Sequence, residues 1–245
     1  MNLAHTYYEP IPDVDEGIQQ KEIAVWRDSW ERWGWETKVL SRADVVITPD
    51  ELARLQRLPS VNPPGYDLAC YLRWFAMRAI GGGLMVDYDV VNVGLRPTEM
   101  TTLASGERKV LVEQNGSMGA SPEGYCLCAG RVPCAMLLSG AACILFCDML
   151  VDYEAKQDDI FEGKPHVSDM TIFQRKTGRW PILGQIPICQ EPQHADERTR
   201  LMHISHNAMA AMGLDCAFHR FEVMRVLAQV GAARAPVRID AHIRE

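Results

Sequence analysis

Three consecutive glycines, Gly81-Gly82-Gly83, divide two hydrophobic patterns that no single element can contain. Before them, over residues 66–80, Leu68, Leu72, Phe75 and Ala79 recur at helical spacing. After them, Leu84-Met85-Val86 is a short apolar run of the kind that forms a buried strand. The glycines end the helix and turn the chain directly into the strand. The amino-terminal part has the same alternation. Residues 3–8 read as a strand closed by the loop Glu9-Pro10-Ile11-Pro12. Ile23, Trp26, Trp30 and Trp33 then form one helical stripe within residues 17–33, Gly34 stops it, and Glu36–Leu40 is the next strand. The tryptophan stripe reads as a helix packed on a sheet rather than as a cofactor box. Strand, helix, strand in this order is a right-handed parallel crossover, so an α/β domain is expected.

The rest of the chain extends that pattern. Asp50 is positioned to cap a short helix over residues 50–58, and 59–65 is a loop rich in Pro, Asn and Gly. Residues 109–113 read as a strand and 133–151 as a buried helix with Pro133 near its start. Residues 184–190 and 201–205 are further strand candidates, and 218–230 is a closing amphipathic helix. No repeat, linker or low-complexity segment interrupts the 245 residues, so one domain spanning 1–245 is expected.

Composition narrows the function classes. With 47% hydrophobic and 23% charged residues the chain is of ordinary globular type. Its 25 basic against 32 acidic residues leave a net charge of −7, which disfavours duplex nucleic acid and anionic membrane as partners. None of the cysteines forms a Cys-x-x-Cys pair: Cys126 and Cys128 are two apart, and Cys143 and Cys147 are one helical turn apart. Reduced, mostly buried thiols are therefore expected rather than zinc or a disulfide framework. Glu9, Asp13, Asp15 and Glu16 stand where a signal peptide needs an apolar core. The apolar stretch 132–147 is broken by Pro133, Ser139 and Gly140 and falls short of a membrane span of about 20 residues. A cytoplasmic chain without an integral membrane segment is expected.

The chemistry concentrates in residues 73–89. Asp87-Tyr88-Asp89 sits at the carboxyl end of the apolar strand, where open α/β sheets bind ligands. In ideal strand geometry Asp87 and Asp89 point to the same side. Both can then reach one hard divalent cation, directly or through water, and such a cation would neutralise a bound or departing diphosphate. The helix before the glycines supplies Arg73, which reads equally as a helix-surface arginine or as a phosphate contact.

The unit Tyr71-Leu72-Arg73-Trp74, Gly82-Gly83, Leu84-Met85-Val86 and Asp87-Tyr88-Asp89 resembles the sugar-binding region of the Asp-x-Asp glycosyltransferases of GT-A fold. That group includes initiating mannosyltransferases and large glucosylating toxins. The clear resemblance spans about 25 residues, and the order of elements before it, with Trp30 and Gly34-Trp35-Glu36-Thr37 entering a strand, is similar to the family's first half. The chain departs from the family at Cys70, where an aspartate is frequent, in the third glycine, and at Met85, where an aromatic residue is usual.

The resemblance implies a GT-A-like mixed central sheet flanked by helices, and transfer of a sugar from a nucleoside-diphosphate sugar, UDP-linked by default, with Mn²⁺ or Mg²⁺ and retention of configuration. Asp89 would be the principal metal ligand, and Asp87 would contact the metal's water shell, the ribose or the sugar, beside Tyr88. Arg73 would reach the sugar or the diphosphate. Tyr7 and Tyr8 would stack on the base. The family commonly completes the metal site with a residue near the carboxyl terminus, and His203 and His206 are the candidates, His203 first. In Leu201-Met202-His203-Ile204, alternation places Met202 and Ile204 on the core face and His203 on the other.

Two other segments border the chemistry. Asp169 reads either as the cap of a helix over 170–174 or as a partner of the donor sugar or the acceptor hydroxyl. Glu113-Gln114-Asn115-Gly116 follows a strand and reads as pocket edge or as turn. The acceptor is open among glycans, lipid-linked glycans, proteins and nucleic-acid bases. Paired carboxylates also suit a nucleotidyltransferase or pyrophosphohydrolase, and a nucleotide-sugar-binding module without turnover is the non-enzymatic alternative.

Overall fold

The computed structural model describes residues 2–12, 15–103, 126–129, 132–155, 166–176, 182–190 and 192–234. The strand expected at 109–113 and the segment Glu113-Gln114-Asn115-Gly116 lie outside the described residues. The strands are β1 (Leu3–Tyr7), β2 (Glu36–Leu40), β3 (Gly82–Val86), β4 (Val90–Asn92), β5 (Cys126–Ala129), β6 (Val132–Ser139), β7 (Ile182–Gln185), β8 (Ile188–Cys189) and β9 (Leu201–His203). Helices that bear on the site are α1 (Glu16–Glu31), α2 (Pro49–Gln56), α3 (Tyr66–Ala79), α4 (Gly140–Ala155), α5 (Asp169–Lys176), α6 (His206–Ala211) and α7 (Cys216–Arg234).

Six strands make a mixed sheet in the order β2-β1-β3-β6-β5-β7. β1 pairs parallel with both β2 and β3, and β6 runs antiparallel to β3 and β5. The α/β architecture with a mixed sheet flanked by helices is therefore present. Side chains alternate across it as the pleat requires. Leu84, Val86, Ala135 and Leu137 join Trp26, Trp30 and Trp35 on one face. Met85, Met136 and Leu138 join Trp74, Phe75, Phe146 and Phe173 on the other. The tryptophan stripe of α1 is thus core, and Trp30 Nε1 also donates to the Val90 carbonyl at 3.1 Å.

Three local expectations change. Thr48, not Asp50, caps α2: its side chain accepts from Glu51 N, Glu51 returns the bond, and Pro49 fills the first turn. The apolar stretch from Val132 is not one helix. Val132–Ser139 is an inner strand of the sheet, buried along most of its length, and the helix starts only at Gly140. A uniformly apolar run has no period to distinguish a doubly covered strand from a buried helix. Gly82 and Gly83 do more than end a helix, because they already pair with β6. A Cβ on Gly82, whose φ is +94°, would lie 2.5 Å from the Leu138 carbonyl oxygen. The glycine therefore allows β3 and β6 to approach.

A second, three-stranded sheet, β4-β9-β8, lies beyond the carboxyl end of β3. It pairs Val90 with His203 antiparallel and continues with β8 parallel to β9. Among the described residues no helix is long and apolar enough to cross a membrane.

Candidate functional site

β3 ends at Val86, and the Asp87 amide makes its last sheet bond to the Cys134 carbonyl at 2.8 Å. The chain then turns tightly, with Val90 N donating to the Asp87 carbonyl at 3.0 Å. This turn, rather than strand alternation, brings the two acids to one side. The small sheet completes the arrangement. Ile204 N donates to the Asp89 carbonyl at 2.9 Å, and β9 presents His203 to the acid pair. One ligand atom each from Asp87, Asp89 and His203 lies within 4.8 Å of the others, the single such three-residue group among the described residues.

His203 Nε2 is 3.5 Å from Asp89 Oδ1, and that oxygen, though buried, has no hydrogen-bond partner among the described residues. Buried polar atoms are rarely left in this state. An orphaned carboxylate oxygen beside a second carboxylate and an imidazole is a donor set that could hold a divalent metal ion. His203 Nδ1 donates to Gln190 Oε1 at 2.7 Å. Met202 and Ile204 pack into the core, as alternation requires, and His203 on the opposite face is enclosed by the site itself.

Two arginines flank the acids. Arg73 Nη1 donates to Asp87, while Nε and Nη2 reach Asp169, the first of these at 3.1 Å. Trp74 Nε1 also donates to Asp169 at 2.8 Å, and the guanidinium stacks against the Trp74 ring. Asp169 is only 3% exposed and lies behind Arg73 rather than on the cleft wall. Capping of α5 falls to Ser168, whose hydroxyl accepts from Thr171 N at 3.1 Å. The second arginine, Arg220 on α7, forks onto Glu22 with bonds of 2.8 and 2.7 Å, lies 3.5 Å from Asp89 Oδ2 and covers the Tyr88 ring.

The electrostatics divide the two acids. Burial lifts the Asp87 carboxyl to about 6, against the pull of Arg73 and with the repulsion of Asp89. At Asp89 burial is again the largest influence, yet His203 and Arg220 together outweigh it and hold the carboxyl below its ordinary value. Burial works against the His203 imidazolium too, but the contact with Asp89 raises it well above its ordinary value.

The acids open into a cleft of about 770 Å³. Tyr7, Tyr8, Arg73, Asp87, Tyr88, Asp89 and His206 all line it, whereas His203 and Asp169 stand behind the wall. Tyr7 and Tyr8 are largely buried: the Tyr7 hydroxyl donates to Glu9 at 2.7 Å, and the Tyr8 ring meets Tyr88 edge-on. His206, the first residue of α6, is exposed at the cleft and lies outside the Asp87–Asp89–His203 group.

Sequence reasoning overlooked Glu22, Arg220 and Gln190. A signal existed for two of them. Glu22 falls on the buried stripe of α1 with Trp26, and Arg220 is in phase with the buried Met224 and Ala228 of α7. A charge on a buried stripe needs a partner. Gln190 carries no such signal in the linear chain.

No protein-family model matches the chain, and no curated protein matches it. Among solved structures it is similar to a glycosyltransferase involved in the glycosylation of the major capsid of PBCV-1. The identity is 13%, the match covers 91% of this chain and 98% of that one, and the TM-score is 0.46.

Proposed function

We propose that the chain is a metal-dependent glycosyltransferase that moves a sugar from a nucleoside-diphosphate sugar to an acceptor hydroxyl. The observation that carries this reading is the Asp87–Asp89–His203 group at the wall of a cleft within the usual size range for small-molecule sites. Charge balance supports a divalent ion. Acids outnumber arginines in this network, with Glu22, Asp87, Asp89 and Asp169 against Arg73 and Arg220, and the excess favours a bound cation. When bound, Mn²⁺ or Mg²⁺ would supply charge neutralisation for the departing diphosphate.

The chain's own residues do the rest. Arg73, fixed by Asp169 and Trp74, holds Asp87 in place at the cleft wall, where its guanidinium is also within reach of a bound diphosphate. Arg220 does the same for Asp89. Tyr7, Tyr8 and Tyr88 offer aromatic surface to the base, and His206 stands at the edge of the donor pocket. In the reaction the bond from the anomeric carbon to the diphosphate breaks, the acceptor oxygen bonds to that carbon, and the acceptor's proton passes to an oxygen of the departing nucleoside diphosphate. Other carboxylates of the cleft are already engaged: Glu9 by Tyr7, Asp15 as cap of α1, Glu22 by Arg220. Each carboxylate among the described cleft residues already has a hydrogen-bond or ionic partner, and the expected outcome is retention of configuration.

A thermal-shift panel of nucleotide sugars with and without Mn²⁺ identifies the donor, UDP-sugars being expected to respond. Incubation with that donor should release nucleoside diphosphate. Release of sugar phosphate and nucleoside monophosphate would instead make the protein a pyrophosphohydrolase, and tight binding with no turnover a binding module. NMR of the product anomer decides retention, and an inverted product would overturn it.

A further inference from the structure

One residue past the end of β8, beside the second sheet, stands a side chain aimed at His203. β8 and β9 pair parallel in the register Ile188 with Leu201 and Cys189 with Met202, so the next step along both strands sets Gln190 beside His203. The contact is made: Gln190 Oε1 is 2.7 Å from His203 Nδ1. An amide oxygen can only accept, so Nδ1 carries the hydrogen and Nε2 is the nitrogen turned to Asp89 Oδ1. Gln190 is held in its turn. Its Nε2 lies 3.5 Å from Cys134 Sγ, and the carbonyl of the same Cys134 receives the Asp87 amide. One buried residue of β6 thus anchors both the first acid and the group that orients the histidine.

We propose that Gln190 is a positioning residue for the metal site, fixing the His203 tautomer and ring angle so that Nε2 is presented to a divalent cation shared with Asp87 and Asp89. The proposal rests on the reading of these three side chains as metal ligands. Outer hydrogen-bond partners of a ligating imidazole set its tautomer and raise its basicity, and their loss typically costs about 10–100-fold in metal affinity. Gln190 is not among the described residues that line the cleft, so a merely structural role would alter stability and leave metal binding alone.

The experiment measures binding of Mn²⁺ alone by the paramagnetic resonance signal of the free aqueous ion. Wild type is compared with Gln190→Leu, Gln190→Glu and His203→Ala, with far-ultraviolet circular dichroism as a fold check. Gln190→Leu should weaken Mn²⁺ binding about 10–100-fold and diminish the spin-echo modulation from a coordinated nitrogen. Gln190→Glu, which still accepts from Nδ1–H, should restore both and keeps the test valid should the leucine variant fail to fold. His203→Ala should abolish the nitrogen modulation. Unchanged Mn²⁺ affinity in Gln190→Leu with weakened binding in His203→Ala would overturn the role of Gln190 and leave the metal reading standing. Unchanged affinity in His203→Ala as well would remove the histidine from the site. A wild type that binds no Mn²⁺ would overturn the metal reading and this inference together.

Discussion

Among the described residues Asp89 meets both His203 and Arg220 and itself carries the orphaned oxygen, so much of the site depends on it. Asp89→Asn keeps the shape but exchanges a hard anionic donor for a neutral amide. Mn²⁺ affinity should fall beyond the roughly 10–100-fold that loss of an outer partner costs. Titration of Mn²⁺ against donor binding checks this, and wild-type half-saturation would remove Asp89 from the site. Arg73 makes a different prediction. Its replacement by Met leaves buried Asp169 and half-buried Asp87 without their cation, and stability should drop by about 3–5 kcal/mol in urea unfolding. A drop under 1 kcal/mol would show that the two acids find other partners. His5 supplies the pH dependence. It is buried, its Nδ1–H donates to the Leu84 carbonyl at 3.2 Å, and burial holds its imidazole below the ordinary value of 6.5. The unfolded chain therefore takes up this proton at higher pH than the folded one. The contribution of neutral His5 is fully present above about 6.5 and is lost as pH falls through the folded value, at no more than about 1.4 kcal/mol per pH unit. In His5→Asn the acid limb of a stability–pH curve should flatten; an unaltered limb would exclude His5 as its source.

At the scale of elements, the close pairing of β3 with β6 determines where the acids emerge. Gly82 is the narrowest point, since a Cβ there meets backbone of Leu138, Ser139 and Gly140 at 2.5 to 2.9 Å, atoms that cannot rotate away. Gly82→Ala should cost at least the roughly 1–3 kcal/mol of a strained backbone position and displace the Asp87–Val90 turn. Gly34→Ala is the comparison. It shares a positive φ but meets nothing within 4 Å, so its loss should be smaller. Equal losses in thermal unfolding would show that conformation alone, not the approach of β6, matters at Gly82. The small sheet acts likewise through its register. A slip of one residue in β9 would turn His203 away from Asp89 and bring Met202 or Ile204 into its place.

For the whole molecule, the cleft joins the amino-terminal strand–helix unit to the carboxyl-terminal helix. Arg220 of α7 grips Glu22 of α1, residues 198 positions apart, and touches Asp89. A cation bound between Asp87, Asp89 and His203 therefore ties β3, β9 and, through Arg220, α7 and α1 into one cooperative unit. Mn²⁺ at about 100 times its dissociation constant should add about 2.7 kcal/mol of stability. For a chain of this size that is a rise of about 5–10 °C in Tm, reversed by a chelator. A Tm indifferent to Mn²⁺ would speak against a folded-state cation site.

By itself, the chain of residues determined the alternation of elements, the amphipathic faces and the acid pair at a strand end. Leu68, Leu72 and Phe75 or Ile23, Trp26 and Trp30 report a buried face through local spacing alone. Where period was missing, as over Val132–Ser139, the run could not reveal whether it was helix or strand, and pairing with β3 and β5 decided. Helix ends were legible only in part, because Thr48 and Asp50, or Ser168 and Asp169, are equally good caps until the backbone chooses one. Partner choice across the chain belonged to tertiary structure entirely. Asp169 reads as a cap or a sugar contact until packing sets it behind Arg73, 96 residues away. Gln190 acquires meaning only once β9 closes over the acids, and Arg220, legible as a charge on a buried stripe, finds its partners only through the packing of α7. Local sequence reports which face is buried; only the folded chain reports which charge waits on the other side.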